Sequence, residues 1–234
     1  EKVSMSYADV VVNKPWGHEY LVYENEHVGL WYLHIDKGQK TSMHCHPKKN
    51  TGLVLLKGSA ETSFLNNSIR MSSLKKVMIR RGLFHSTMGL SEQGAHIFEI
   101  ETPKDKKDLV RLEDSYGRKL SPYEGKNKEQ RKTNACLWVT DPEKGSCNVY
   151  NFCDCTMYAE SILNKQKLFD RPPDDIFVFL RGGLISGDSY IAQPGDVLDG
   201  STLNRLARVF EITDEIVLLS IAAENAKGTE YGCP

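Results

Sequence analysis

The chain has 234 residues, 40% of them apolar and 26% charged, with a formal net charge of −1. These are globular values, and so even a balance excludes a global field that would recruit nucleic acid or a membrane surface. No run approaches the ~18 apolar residues of a membrane span, and no secretory signal is visible, so a soluble cytoplasmic protein is expected.

The first half reads as β in chain order. Residues 19–23, 28–35, 52–56, 60–65, 76–80 and 96–101 are short apolar, β-branched and aromatic runs between turn signals. Asn66-Asn67-Ser68 reads as a hairpin turn. Before the third run lies Gly38-Gln39-Lys40-Thr41-Ser42-Met43-His44-Cys45-His46. On a strand, residues two apart face the same side. His44 and His46 therefore project together, and His85 from a returning strand can close a facial metal site. Imidazole suits zinc, copper, iron and nickel. Cys45 points to the opposite face. Lys48 and Lys49 follow directly, as an exposed turn or as ammonium groups for a substrate anion. His34 and His96 read as packed or surface histidines. Glu99 and Glu101 share one strand face and can shuttle protons if that face looks inward.

The spacing around the histidines resembles the first motif of the cupin superfamily, G-x5-H-x-H-x4-E-x6-G. Gly38, His44, His46 and Gly58 match, and Thr51 stands at the Glu position. The second cupin motif is matched by Gly82 and His85 only. Lys14-Pro15-Trp16-Gly17-His18-Glu19-Tyr20 resembles the opening R-P-W-G-x-Y of the cupin domain of type II mannose-6-phosphate isomerases, which also accompanies mannose-1-phosphate guanylyltransferases. Ile97-Phe98-Glu99-Ile100-Glu101 resembles the I-E-V-Q strand of that family. Asp108-Leu109-Val110-Arg111, continuing to Asp114-Ser115-Tyr116-Gly117-Arg118, resembles its closing D-I-V-R-x-x-D-x-Y-G-R. The likeness covers residues 14–118 and implies an active-site or phosphate role for Arg111. It departs at the metal: His44 replaces Gln, Lys49 replaces Arg and Thr51 replaces Glu. Three neutral histidines leave a bound dication its full charge.

A polar stretch at 119–133 reads as a linker between a metal-competent domain, 1–118, and a second domain, 134–234. Strand-like runs resume at 135–139, 148–152, 176–180 and 209–212, and 215–222 looks like a buried strand. No segment shows a long helical period with caps. The stretch from Asp175 to Gly182 parallels that from Thr51 to Gly58, and Gln193-Pro194-Gly195-Asp196-Val197 resembles the cupin G-D turn. Counting along this copy puts Leu168, Asp170 and Leu206 at the histidine positions, and no histidine occurs after His96. The expected fold is all-β: two jelly-roll cupin barrels, the second degenerate and without ligands. The cysteines, among them Cys147, Cys153 and Cys155 spaced C-x5-C-x-C, lack the C-x-x-C pairs of zinc sites. They read as free thiols.

The resemblance implies a metal-dependent isomerase or epimerase of a phosphorylated or nucleotide-linked sugar. One divalent ion (zinc, iron, manganese or nickel) would sit on His44, His46 and His85. Glu99, Glu101 and Arg111 are the candidate catalytic groups, and Lys48, Lys49 and Thr51 the candidate substrate contacts. The alternatives are a three-histidine iron dioxygenase, motivated by Thr51, and a non-catalytic sugar-binding protein. The expected partner is a small anionic substrate, with no nucleic acid and no membrane, and cupins often pair as homodimers through barrel edges.

Overall fold

The computed structural model describes residues 7–118 and 129–224. The chain divides into two compact units, Glu1–Trp138 and Val139–Pro234.

In the first unit the strands are β1 (Val10–Lys14), β2 (Gly17–Glu24), β3 (Gly29–Ile35), β4 (Met43–Cys45), β5 (Asn50–Lys57) and β6 (Ser59–Phe64). They continue as β7 (Ser68–Ser72), β8 (Lys75–Ile79), β9 (His85–Gly89), β10 (Ala95–Thr102), β11 (Val110–Glu113) and β12 (Glu129–Arg131). They form two antiparallel sheets, ordered β12-β1-β2-β3-β10-β5-β8 and β11-β4-β9-β6-β7. The alternation of each strand sends one set of side chains between the sheets. Trp31, Leu33 and Ile35 of β3, Leu53 and Leu55 of β5, and Ile97 of β10 meet Ala60 and Met71 there. This inner face changes character along its length. On β10 the sequence Ala95, Ile97, Glu99, Glu101 runs from apolar floor to carboxylates. On β5, Leu55 and Leu53 give way to Thr51, which pairs with Glu101.

The opening motif is explained by a close approach. Gly17 has φ +142°, and a Cβ there would lie 1.9 Å from the carbonyl oxygen of His34. Only glycine lets β2 start against β3, and this tucks the preceding Trp16 into the core, 4% exposed.

The second unit repeats the strand order. Its strands are β13 (Cys147–Phe152), β14 (Cys155–Ile162), β15 (Ile176–Arg181), β16 (Leu184–Ser186), β17 (Ser189–Ala192), β18 (Val197–Asp199), β19 (Glu211–Ile212) and β20 (Ile216–Ala223). The sheet β13-β14-β20-β15-β18 corresponds strand for strand to β2-β3-β10-β5-β8, and β17-β16-β19 to β7-β6-β9. Both units are antiparallel two-sheet sandwiches of one strand order, the jelly-roll architecture expected of a cupin. The counterpart of β4 is missing. In its place, between β14 and β15, is a 3-10 turn, Lys165–Leu168, and a helix α1 (Gly200–Val209) is inserted before β19. Leu168, Leu203 and Ala207 are fully buried, and Leu206 packs against them. Two of the counted histidine positions are thus apolar filler, and the third, Asp170, is exposed and ion-paired with Arg208 at 2.6 Å. The turn is tied down by Arg171, which makes a buried bidentate pair with Glu160 of β14 (2.9 and 3.0 Å).

Several expectations are corrected. Residues 129–131 are a strand on β1, not linker, because their backbone completes the edge at Val10–Val12; residues 119–128 lie outside the described residues. Residues 135–139 are not a strand: the Leu137 amide donates to the Tyr20 hydroxyl (3.1 Å), and the Cys136 amide closes a turn on Thr133. Helix α1 was readable: Asp199 accepts from the Thr202 amide as N-cap (2.7 Å), and Leu203, Leu206, Ala207 and Phe210 repeat with helical spacing. Residues 209–212 accordingly hold the helix end and only a two-residue strand. Not every cysteine is a free thiol. Cys147 is disulfide-bonded; Cys45, Cys136, Cys153 and Cys155 are free, and Cys233 lies outside the described residues. No helix among the described residues is long and apolar enough to cross a membrane.

Candidate metal centre

The three histidines come together as their spacing requires. His44 lies on β4 and pairs in register with His85 on β9, and His46 follows two residues later on the same side. The ring centroids are 4.4 Å (His44 to His85), 4.9 Å (His44 to His46) and 5.4 Å (His46 to His85) apart. One ring nitrogen from each lies within 4.8 Å of the others.

Their protonation follows from their partners. Each Nδ1 faces a backbone carbonyl: Ser42 for His44 (2.7 Å), Asp108 for His46 (2.7 Å) and Leu83 for His85 (3.0 Å). A carbonyl can only accept, so each Nδ1 carries the hydrogen and each Nε2 keeps its lone pair. The Nε2 atoms of His46 and His85 are buried without a hydrogen-bond partner. Leaving such an atom unsatisfied costs ~1–3 kcal/mol, and carbonyl-oriented imidazoles are how proteins present metal ligands. Burial, reinforced for His44 by its two neighbours, lowers all three imidazole pKa values, that of His46 to about 4. The donors are neutral at physiological pH, as ligation demands. The residues therefore fit a divalent ion.

Asp108, known from the sequence only as the start of a motif, is a clamp. Its carbonyl orients His46, and its carboxylate accepts from the Lys48 and Lys49 amides (2.9 and 3.0 Å).

His44 and His46 line a small cavity of about 60 Å³ that opens to solvent. Its walls are charged. Lys14 meets Glu19 (3.6 Å), Lys106 meets Glu19 (3.7 Å) and Glu99 (3.3 Å), and Lys106 stacks 3.8 Å over the Trp31 ring. Trp31 donates to Glu101 (3.0 Å), and Lys49 forms a buried ion pair with Glu101. Arg118 is braced by Asp114 (2.7 Å), and Arg111 donates to the Arg118 carbonyl (3.4 Å). Arg111 is also the cross-strand neighbour of His44. Five cations, Lys14, Lys49, Lys106, Arg111 and Arg118, line the cavity against two carboxylates, Glu19 and Glu99. A dication would raise the excess further. Burial alone would raise the Glu99 pKa, but Lys106, with Lys49 behind it, holds the carboxyl well below its usual range. Burial would likewise lower the Lys106 pKa, but Glu19, Glu101 and Glu99 push it above its usual value.

The sequence candidates thus separate. His44, His46, Lys49, Glu99 and Arg111 line this cavity, and His85 lines a smaller, more apolar one with His44, Leu53, Ile97 and Glu99. Glu101 faces inward but is occupied by Lys49 and Trp31. Lys49 is 2% exposed, so its ammonium is committed to Glu101, which sequence distance concealed. Lys48 is exposed and contributes its amide. Thr51 is buried, with its hydroxyl lacking a hydrogen-bond partner, and is not among the lining residues. Lys14, Glu19, Lys106 and Arg118 were not singled out, since no spacing signals groups drawn from β1, β2 and two loops.

No family model matches this chain, and no curated protein does. Solved structures resemble parts of it. KdgF from Halomonas sp. is 15% identical over 39% of this chain and 84% of its own, with a TM-score of 0.37. A conserved protein with a double-stranded β-helix domain from Klebsiella pneumoniae is 16% identical over 48% and 91%, TM-score 0.38. A cupin-2 domain protein from Shewanella frigidimarina is 17% identical over 38% and 83%, TM-score 0.34. The fold assignment stands on strand order and register.

Proposed function

We propose that the first unit holds a divalent ion on His44, His46 and His85 and isomerises or epimerises a small phosphorylated or nucleotide-linked sugar. This is the activity of the type II mannose-6-phosphate isomerases that its opening and closing motifs resemble. The observation that supports it is the cation excess around a solvent-open cavity that His44 and His46 share with a deprotonated carboxylate, next to the third imidazole, His85. The ion would act as a Lewis acid on a substrate carbonyl. Arg111, Arg118 and Lys14 would hold the anionic group. Glu99, ionised, would accept the proton from the adjacent carbon and return it to the neighbouring carbon or to the other face; its lowered pKa makes it a weak base, so the step leans on the ion acidifying that C–H. Trp16 and Leu33 would keep water from that side.

The test is to incubate metal-loaded protein with a panel of sugar phosphates in deuterated water. Deuterium should enter carbon for at least one member. A panel without incorporation sinks the reading.

The absence of a carboxylate from the three-histidine set favours one rival, iron-dependent oxygen chemistry. Substrate-dependent oxygen uptake by the ferrous protein, without deuterium incorporation, would establish it instead.

A further inference from the structure

Three imidazoles bring no charge to an ion. The residue that answers that charge stands on β10. Glu99 lines the outer cavity together with His44 and His46, and the inner one together with His44 and His85. It therefore faces the common point of all three rings. Thr51, its diagonal neighbour on β5, brings no charge. Among the described residues Lys106 is the group seen to bond Glu99, through Oε1. No carboxylate oxygen belongs to the tight nitrogen set, so Glu99 is placed beyond direct ligation.

We infer that Glu99 belongs to the metal centre as its outer-sphere anion, offsetting the charge of the ion, and that Lys106 is the residue that positions it. Lys106 suits this task because it cannot follow the carboxylate into the cavity. Glu19 holds its ammonium from behind, and the Trp31 face holds it from the side. Trp31 is itself fixed by Glu101, and Glu101 by Lys49. The chain from Lys49 through Glu101, Trp31 and Lys106 ends at Glu99, with one carboxylate oxygen braced by Lys106. Groups in this outer position commonly tune metal affinity as strongly as they orient ligands. The inference rests on the proposed metal role of the histidines and is independent of the substrate.

The experiment is a Co(II) titration of the metal-free protein, followed by visible absorption and by competition with a chelator. Glu99→Gln should weaken Co(II) binding about 10–100-fold and shift the absorption bands. Wild-type affinity in Glu99→Gln overturns the inference. If deuterium exchange is lost in that same variant, Glu99 is a proton acceptor only and the isomerase reading stands without it. Weakened Co(II) binding in Glu99→Gln, with no exchange by wild type on any sugar phosphate, keeps the inference and removes the isomerase. A wild type that binds no Co(II) removes both. Should Glu99→Gln fail to melt cooperatively, Lys106→Gln decides. Without its brace Glu99 should lose its place beside the ion and Co(II) binding should weaken, and unchanged or tighter binding overturns the inference.

Discussion

The two units share one strand order and differ where chemistry would happen. In the first, β4 and β9 carry the ligands face to face between the sheets. In the second, a 3-10 turn takes the place of β4 and α1 is inserted before β19, the counterpart of β9, with Leu168, Leu203 and Ala207 filling the interior. The sheet β13-β14-β20-β15-β18 survives intact. A cupin sandwich can therefore surrender its ligand strand and remain a packed sandwich, provided that apolar side chains replace the imidazoles. The metal site is an addition to the fold and not one of its supports.

That contrast can be broken at its strongest point first. His46→Ala should lower metal content and affinity by about 100-fold or more, beyond the range of outer-sphere changes. Elemental analysis after dialysis measures it, and near-native far-ultraviolet circular dichroism should accompany it. The reverse graft should fail. Leu168→His buries an imidazole in an apolar interior with no strand to aim it, costing about 2–4 kcal/mol by urea unfolding and creating no second metal equivalent. A second bound ion in that variant would contradict the account of the degenerate unit.

Acid sharpens the comparison. The lowered pKa values of His44, His46 and His85 mean that the folded metal-free unit prefers neutral rings. Their contribution is complete above the ordinary imidazole value near 6.5 and is lost as pH falls toward about 4, where His46 itself protonates. His46 alone should account for roughly 3 kcal/mol over that window. All three tryptophans, Trp16, Trp31 and Trp138, lie in the first unit, and the second has no histidine. Tryptophan-detected unfolding should therefore weaken steeply between pH 6.5 and 4. A pH-independent tryptophan signal in that range would refute the assignment of neutral rings. The smallest effect is expected at Lys48, whose exposed ammonium touches nothing in the site. Lys48→Ala should change stability by less than about 0.5 kcal/mol and leave metal affinity unchanged.

The legible parts of this molecule were those encoded by local spacing. Two histidines two apart on a strand, a glycine six before and another twelve after, located the ligands. Alternating apolar runs located most core strands, because strand faces follow period two. Less legible was whatever depended on distant partners. Lys49 read as a turn lysine because Glu101, which buries it, is 52 residues away. Lys14, Glu19 and Lys106 meet only after β1, β2 and the segment following β10 fold together. Helix α1 carried its own signals, an aspartate cap and a helical apolar repeat, but the expectation of a second all-β copy obscured them. The short strands β4, β9 and β19 have too few residues to show a period.

The clamp at Asp108 has a consequence for assembly. All three ligands are synthesised by residue 85, yet the carbonyl that orients His46 belongs to a residue made 23 positions later. A nascent or truncated chain ending at Thr102 would possess every imidazole and still lack the brace that aims one of them. Such a fragment should take up metal poorly, which ties loading of the centre to emergence of the closing segment from the ribosome.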